Sequence, residues 1–176
     1  MSAPDALVLF RALAGLPVVI LLRAEQPAAA LAVFTAAALS DALDGFLARR
    51  SGIAGPRGAL LDPLADKVLV VVVLAGLAST GQVPAVFAVI VALREGAVAA
   101  LRLIAHRRHM LIGTGIAAKI KTALELAAIA LLMLGREPSA VSETGVLLLT
   151  LALGIGLATL PRYVPRREPP LHDASR

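Results

Sequence analysis

No cysteine occurs among the 176 residues, so the chain can form neither a disulfide framework nor a thiolate metal site. The three histidines, His106, His109 and His172, do not stand at zinc-binding spacing, which leaves oxygen as the ligand for any metal. Aromatic residues number only five, four Phe and one Tyr, too few for the stacking platform of a nucleic-acid binder. The net charge of +5 therefore points to lipid head groups rather than to nucleic acid. Charge itself is scarce, at 16% of residues against 59% hydrophobic. With a mean hydropathy of +0.86 the composition is that of an integral membrane protein, not of a soluble domain. No basic stretch precedes the first apolar run, and Arg11 lies inside it, so the first segment is expected to stay as a helix rather than be cleaved as a signal peptide.

What is present is a series of six apolar segments, each close to the roughly 20 residues that cross a hydrocarbon core. They run at 6–22, 28–48, 59–79, 83–105, 116–134 and 144–161, separated by short stretches containing Pro, Gly and charge. The expected fold is all-α, a polytopic domain of six transmembrane helices over residues 1–161, followed by a polar, basic tail at 162–176. Lys and Arg favour the cytoplasmic side. Arg49, Arg50 and Arg57 lie in or beside the second connection, Arg107 and Arg108 in the fourth, and Arg162, Arg166, Arg167 and Arg176 in the tail. The opposite connections carry only Arg23 and Arg136. Both termini are thus expected to face the cytoplasm.

Against this background, four aspartates in "DALDGFLARRSGIAGPRGALLDPLAD" require an explanation. An Asp within a membrane helix costs roughly 2.5–3.5 kcal/mol on insertion scales. Asp41 and Asp44 stand near the end of the second segment, and Asp62 and Asp66 near the start of the third. Spacings of three and four residues put each pair on one helical face. Four converging carboxylates repel unless a cation lies between them, and Mg²⁺, Mn²⁺ and Ca²⁺ are the ions suited to such oxygens. A cluster of this size has room for two ions. Gly45 and Ala48 follow Asp41 by four and seven residues and Gly58 precedes Asp62 by one turn, so small side chains leave a gap where a bulky ligand could approach the backbone. Arg49 at the edge of that gap offers a guanidinium suited to a phosphate. Together these residues suggest phosphoryl chemistry.

From Asp41 to Asp66 the pattern is D-x2-D-G-x2-A-R-x8-G-x3-D-x3-D, and it resembles the signature of the CDP-alcohol phosphatidyltransferases. That resemblance implies a six-helix membrane enzyme, with an active site open to the cytoplasm of a bacterial cell, that transfers a phosphatidyl group from CDP-diacylglycerol to an alcohol and releases CMP. It further implies that Asp41, Asp44, Asp62 and Asp66 hold two Mg²⁺ or Mn²⁺ ions, that Asp66 is also the general base, and that Gly45, Ala48, Arg49 and Gly58 line the CDP moiety. A homodimer is implied as well. "ALREGAVAALR" and "GIAAKIKTALE" are similar to elements of the phosphatidylglycerophosphate synthase branch, which implies glycerol 3-phosphate as acceptor, with Arg94, Arg102, Lys119 and Lys121 as candidates to bind its phosphate. The chain departs from the family pattern at Asp5 and Val8, where Asn and Thr are usual, and at Glu125, where Gln is usual.

Other readings of the same residues stand beside these. The aspartates could pair with Arg49, Arg57 and Lys67 as purely structural ion pairs. Gly45, Ala48 and Gly58 could serve helix packing. The cations of the later segments could be ordinary cytoplasmic-side charge, or partners of Glu95 and Glu125. Within the family, cardiolipin synthase and phosphatidylinositol-phosphate synthase are alternatives. Outside it, an acidic cluster in six helices suits a divalent-cation transporter, though such a path has no need of a nucleotide-sized gap flanked by Arg49.

Overall fold

The computed structural model describes the backbone of residues 3–51, 58–108, 115–135 and 138–163, and the side chains of 13–40, 67–105, 107–108, 115–135, 138–161 and 163. These residues form six α-helices and one 3₁₀ turn, and no strand occurs among them. The helices are α1 (Ala3–Arg23), α2 (Pro27–Ser51), α3 (Gly58–Ser79), α4 (Ala85–Arg107), α5 (Ile116–Leu134) and α6 (Ala140–Thr159), with the 3₁₀ turn at Leu160–Tyr163. Their 19–25 residues give lengths of roughly 28–38 Å at 1.5 Å per residue. Each of the six apolar segments is one helix. Among the described residues, α6 is the one helix long and apolar enough to cross a membrane.

The helices pack through stripes at helical spacing. Val70, Val73, Leu74 and Leu77 of α3 are buried, as are Ala128, Ile129, Leu132 and Met133 of α5 and Leu149, Ala152 and Leu153 of α6. Leu93, Ile116, Ile20 and Leu147 are more than half exposed, so the bundle turns large apolar side chains outward as well as inward.

Close approaches set the helix directions. An added Cβ at Gly15 of α1 would lie 2.8 Å from Val72 of α3, and one at Gly76 of α3 would lie 2.6 Å from Val19 of α1. Rising numbers on both sides mean that α1 and α3 run parallel. Gly145 of α6 receives Leu132 of α5, and Gly156 lies beside Lys121, so these two helices are antiparallel. Arg94 meets Gly156, and Arg102 meets Tyr163, so α4 runs parallel to the last helix. Short connections supply the remaining reversals, with Gly81 at φ +79° in the turn between α3 and α4, a conformation that glycine adopts without a Cβ clash. The end of α2, the start of α3, the end of α4, the start of α5 and the end of α6 therefore share one end of the bundle.

The paired glycines at the α1–α3 contact lead to a stability prediction. Val19 is β-branched and stiff at χ1, so it cannot swing away cheaply from a new methyl. Gly76→Ala is expected to destabilise the folded chain by about 1–3 kcal/mol, read as a lower melting temperature in detergent. Gly96→Ala, with open space around the position, should melt at or above wild type. Equal melting of the two variants would show that the α1–α3 contact is not close-packed.

Candidate active site

The acidic motif is carried on two helix ends. Asp41, Asp44, Gly45, Ala48 and Arg49 lie in the last turns of α2, and Gly58, Asp62 and Asp66 lie in the first turns of α3. Both stretches sit at the same end of the bundle. The side chains of all eight lie outside the described residues, as do those of Asp5 and Val8 and the tail beyond Tyr163. No group of three or more metal-ligating side chains occurs among the described residues.

Lys67 directly follows Asp66 in α3. Its ammonium donates to the Glu95 carboxylate of α4. Glu95 is a hub: it also accepts from Arg94 Nη1 at 2.6 Å and from Lys121 Nζ of α5 at 2.5 Å. Lys121 in turn donates to Glu125, one turn further along α5, at 2.6 Å. Arg94, Glu95, Lys121 and Glu125 are at most 5% exposed, and Lys67 is at the rim with 22% of its side chain accessible. Buried charges persist only when paired and hydrogen-bonded, and this network meets that condition with three cations and two carboxylates. Among the described residues, one formal positive charge is in excess.

The same stripe of α5 that carries Lys121 and Glu125 continues into Ala128, Ile129 and Leu132. The ionic network is thus the continuation of the apolar core at the end of the bundle where the acidic motif lies. Next to the network, Arg94 also donates through Nε and Nη2 to the carbonyl of Gly156 in α6, each at 3.4 Å. Arg102, two turns beyond, places its guanidinium 5.3 Å from the ring centroid of Tyr163, within cation–π range.

Of the cationic residues expected at an acceptor site, the structure brings Arg94 and Lys121 together at Glu95. Arg102 is set apart against Tyr163. Lys119 is exposed, about 200° around the helix from Lys121. Arg94 and Lys121 do pair with Glu95 and Glu125, the structural role considered for them from the sequence. Lys67, considered from the sequence only as a partner for the aspartates, is bound to Glu95. Its position directly after Asp66 was the available signal. Nothing in the sequence singled out Gly156 or Tyr163.

Residues 1–158 match the family CDP-alcohol phosphatidyltransferase. The chain belongs to the CDP-alcohol phosphatidyltransferase family. Among curated relatives it is 40% identical over 105 residues to a "Probable phosphatidylglycerophosphate synthase" of Mycobacterium tuberculosis, covering 60% of this chain and 50% of the relative. It is 31% identical over 142 residues to a "CDP-diacylglycerol--glycerol-3-phosphate 3-phosphatidyltransferase" of Rickettsia bellii, covering 78% of each. A "Cardiolipin synthase (CMP-forming)" of Oryza sativa is 31% identical over 162 residues, covering 80% of this chain and 49% of the relative. The chain spans about half the length of the mycobacterial relative. In this member of the family, then, the acidic signature is followed directly by Lys67, and Lys67 leads through Glu95 to the buried cations of α4 and α5.

Proposed function

We propose that the chain is a phospholipid-synthesising enzyme that transfers a phosphatidyl group from CDP-diacylglycerol to sn-glycerol 3-phosphate and releases CMP. The observation that carries this reading is the Glu95 hub, which ties Lys67, adjacent to Asp66, to Arg94 and Lys121. A donor site on the α2–α3 aspartates and an anion site on α4–α5 would then be neighbours at one end of the bundle.

The donor set fits a divalent cation, since Asp41, Asp44, Asp62 and Asp66 offer hard carboxylate oxygens and the chain has no thiol to compete. Two Mg²⁺ or Mn²⁺ ions held there would supply neutralisation of the pyrophosphate charge. Gly45, Ala48 and Gly58 would give the CDP moiety room, and Arg49 would bind its phosphate. Asp66 would take the proton of the acceptor hydroxyl, whose oxygen bonds to the phosphatidyl phosphorus as the bond from that phosphorus to CMP breaks. Arg94 and Lys121 would hold the acceptor phosphate, with Arg102 and the exposed Lys119 adding positive field around it. The outward apolar side chains and the six helix lengths support six membrane crossings, with the termini and the site on the cytoplasmic side as the Arg and Lys distribution favours.

Cardiolipin synthesis is the second reading, supported by the likeness to the rice relative. The two acceptors differ in charge: glycerol 3-phosphate carries a near-dianionic monoester, whereas phosphatidylglycerol carries a monoanionic diester. A buried site with excess cation favours the former. The test is CMP release from CDP-diacylglycerol by purified protein in Mg²⁺ or Mn²⁺, with glycerol 3-phosphate, inositol phosphate or phosphatidylglycerol supplied in turn. Release is expected with glycerol 3-phosphate, falling to background without an acceptor or with excess EDTA. Release with phosphatidylglycerol alone would reassign the acceptor. No release with any acceptor, combined with divalent-ion flux across liposomes, would replace the enzyme by a transporter.

A further inference from the structure

Gly156 stands out in α6. The helix ends at Thr159, and its last carbonyls have no partner further along the helix. The backbone N–H of Leu160 turns to Leu157, and the Gly156 carbonyl accepts from Arg94 Nε and Nη2 at 3.4 Å and from the Thr159 hydroxyl at 3.1 Å. The partial negative charge at a helix C-terminus adds to the attraction for a guanidinium. The position has no room for a side chain: a Cβ there would stand 3.1 Å from Arg94 Nε, 3.6 Å from its Cζ and 3.7 Å from Lys121 Cε. Two of the three cations of the Glu95 network, Arg94 and Lys121, thus lie directly against a bare stretch of helix backbone.

We propose that Gly156 is a positioning residue for the acceptor site, its carbonyl, which accepts from Arg94, and its missing Cβ fixing where the Arg94 guanidinium lies beside Lys121. This rests on the reading of Arg94 and Lys121 as acceptor-binding groups. Glu95 and Gly156 occupy Arg94 from two sides, through Nη1 and through Nε and Nη2 respectively. Moving the guanidinium by the few tenths of an ångström that a methyl demands alters how it meets a phosphate, where geometry governs the hydrogen bonds. Gly156 acts through Arg94 and touches no reacting atom itself.

Two glycines in the same helix make the test specific. Around Gly154 there is open space, and alanine is the better helix former at either position. Kinetics and melting temperature are to be measured on the purified full chain as wild type, Gly154→Ala, Gly156→Ala, Arg94→Lys and the Arg94→Lys/Gly156→Ala double variant. Gly156→Ala is expected to raise KM for glycerol 3-phosphate by about three- to tenfold, leaving KM for CDP-diacylglycerol and the melting temperature near wild type. Gly154→Ala should change neither KM. In the Arg94→Lys background the glycine substitution should add no further loss, since neighbours acting through one group are non-additive.

An acceptor KM within about twofold of wild type, an equal rise in both KM values, or a full additional loss in the double variant would overturn the proposal. If Gly156→Ala melts low, the double variant decides: melting with Arg94→Lys alone locates the clash at Arg94 and supports the proposal, and melting lower still overturns it. A wild-type chain that releases no CMP with glycerol 3-phosphate would instead remove the functional reading, and this inference with it.

Discussion

Asp66→Asn is expected to lower turnover by at least about a thousandfold while leaving metal-dependent binding of CDP-diacylglycerol partly intact. Asn has nearly the shape of Asp and a similar helix propensity, so α3 should persist through the substitution. What changes is charge and basicity. The amide cannot take up the proton of an attacking hydroxyl, and it is a weaker ligand for a hard cation. Asp41, Asp44 and Asp62 would still be present to hold metal, which is why binding should outlast turnover. Single-turnover CMP release and binding of labelled CDP-diacylglycerol, each with and without Mg²⁺, separate the two properties. Turnover within tenfold of wild type would remove Asp66 as general base. Complete loss of metal-dependent binding would make its principal role that of a metal ligand.

How far such features could be read from the sequence depends on the range of the interaction behind them. Helix positions were legible because runs of about 20 apolar residues bounded by Pro, Gly and charge need no tertiary information. The clearest difference is at α6, which begins at Ala140 rather than at 144. Ser139 and Ser142 form a reciprocal capping box: the Ser142 N–H donates to Ser139 Oγ at 3.3 Å, and the Ser139 N–H donates to Ser142 Oγ at 3.0 Å. Polar residues that look like a connection are thus the first turn of a helix. At the other end, the 3₁₀ turn carries the chain to Tyr163, two residues into the stretch that reads as tail, and Tyr163 is buried.

The acidic motif was legible for the same reason as the helices, since its residues lie close together in sequence and their spacing alone puts each pair on one face. The hub was not. Lys67, Glu95 and Lys121 come from three helices, and only packing brings them together. Gly156 was the least visible feature, because a glycine in an apolar helix reads as packing until the neighbour across it proves to be a guanidinium.

Glu95→Gln is expected to be the most destabilising conservative substitution in the described part of the bundle. Glu95 accepts from Lys67, Arg94 and Lys121, so the amide leaves three cations with Glu125 as their one remaining carboxylate among the described residues. Removing one partner of a buried ion pair costs about 3–5 kcal/mol, because the other charge stays desolvated without compensation. Here several partners lose it at once, although Lys67 at the rim can turn toward water. A fall in melting temperature of about 10 °C or more in detergent is the expected result. If charge is the cause, removing a cation should restore part of the loss: Lys67→Met/Glu95→Gln should melt above Glu95→Gln alone, although Lys67→Met by itself also breaks a pair. Such a change of sign in a double-mutant cycle marks electrostatic coupling and not a packing defect. Glu95→Gln melting with wild type would mean that the network is solvated in the membrane-bound protein. The three cations would then be free to bind an anion without Glu95 to hold them.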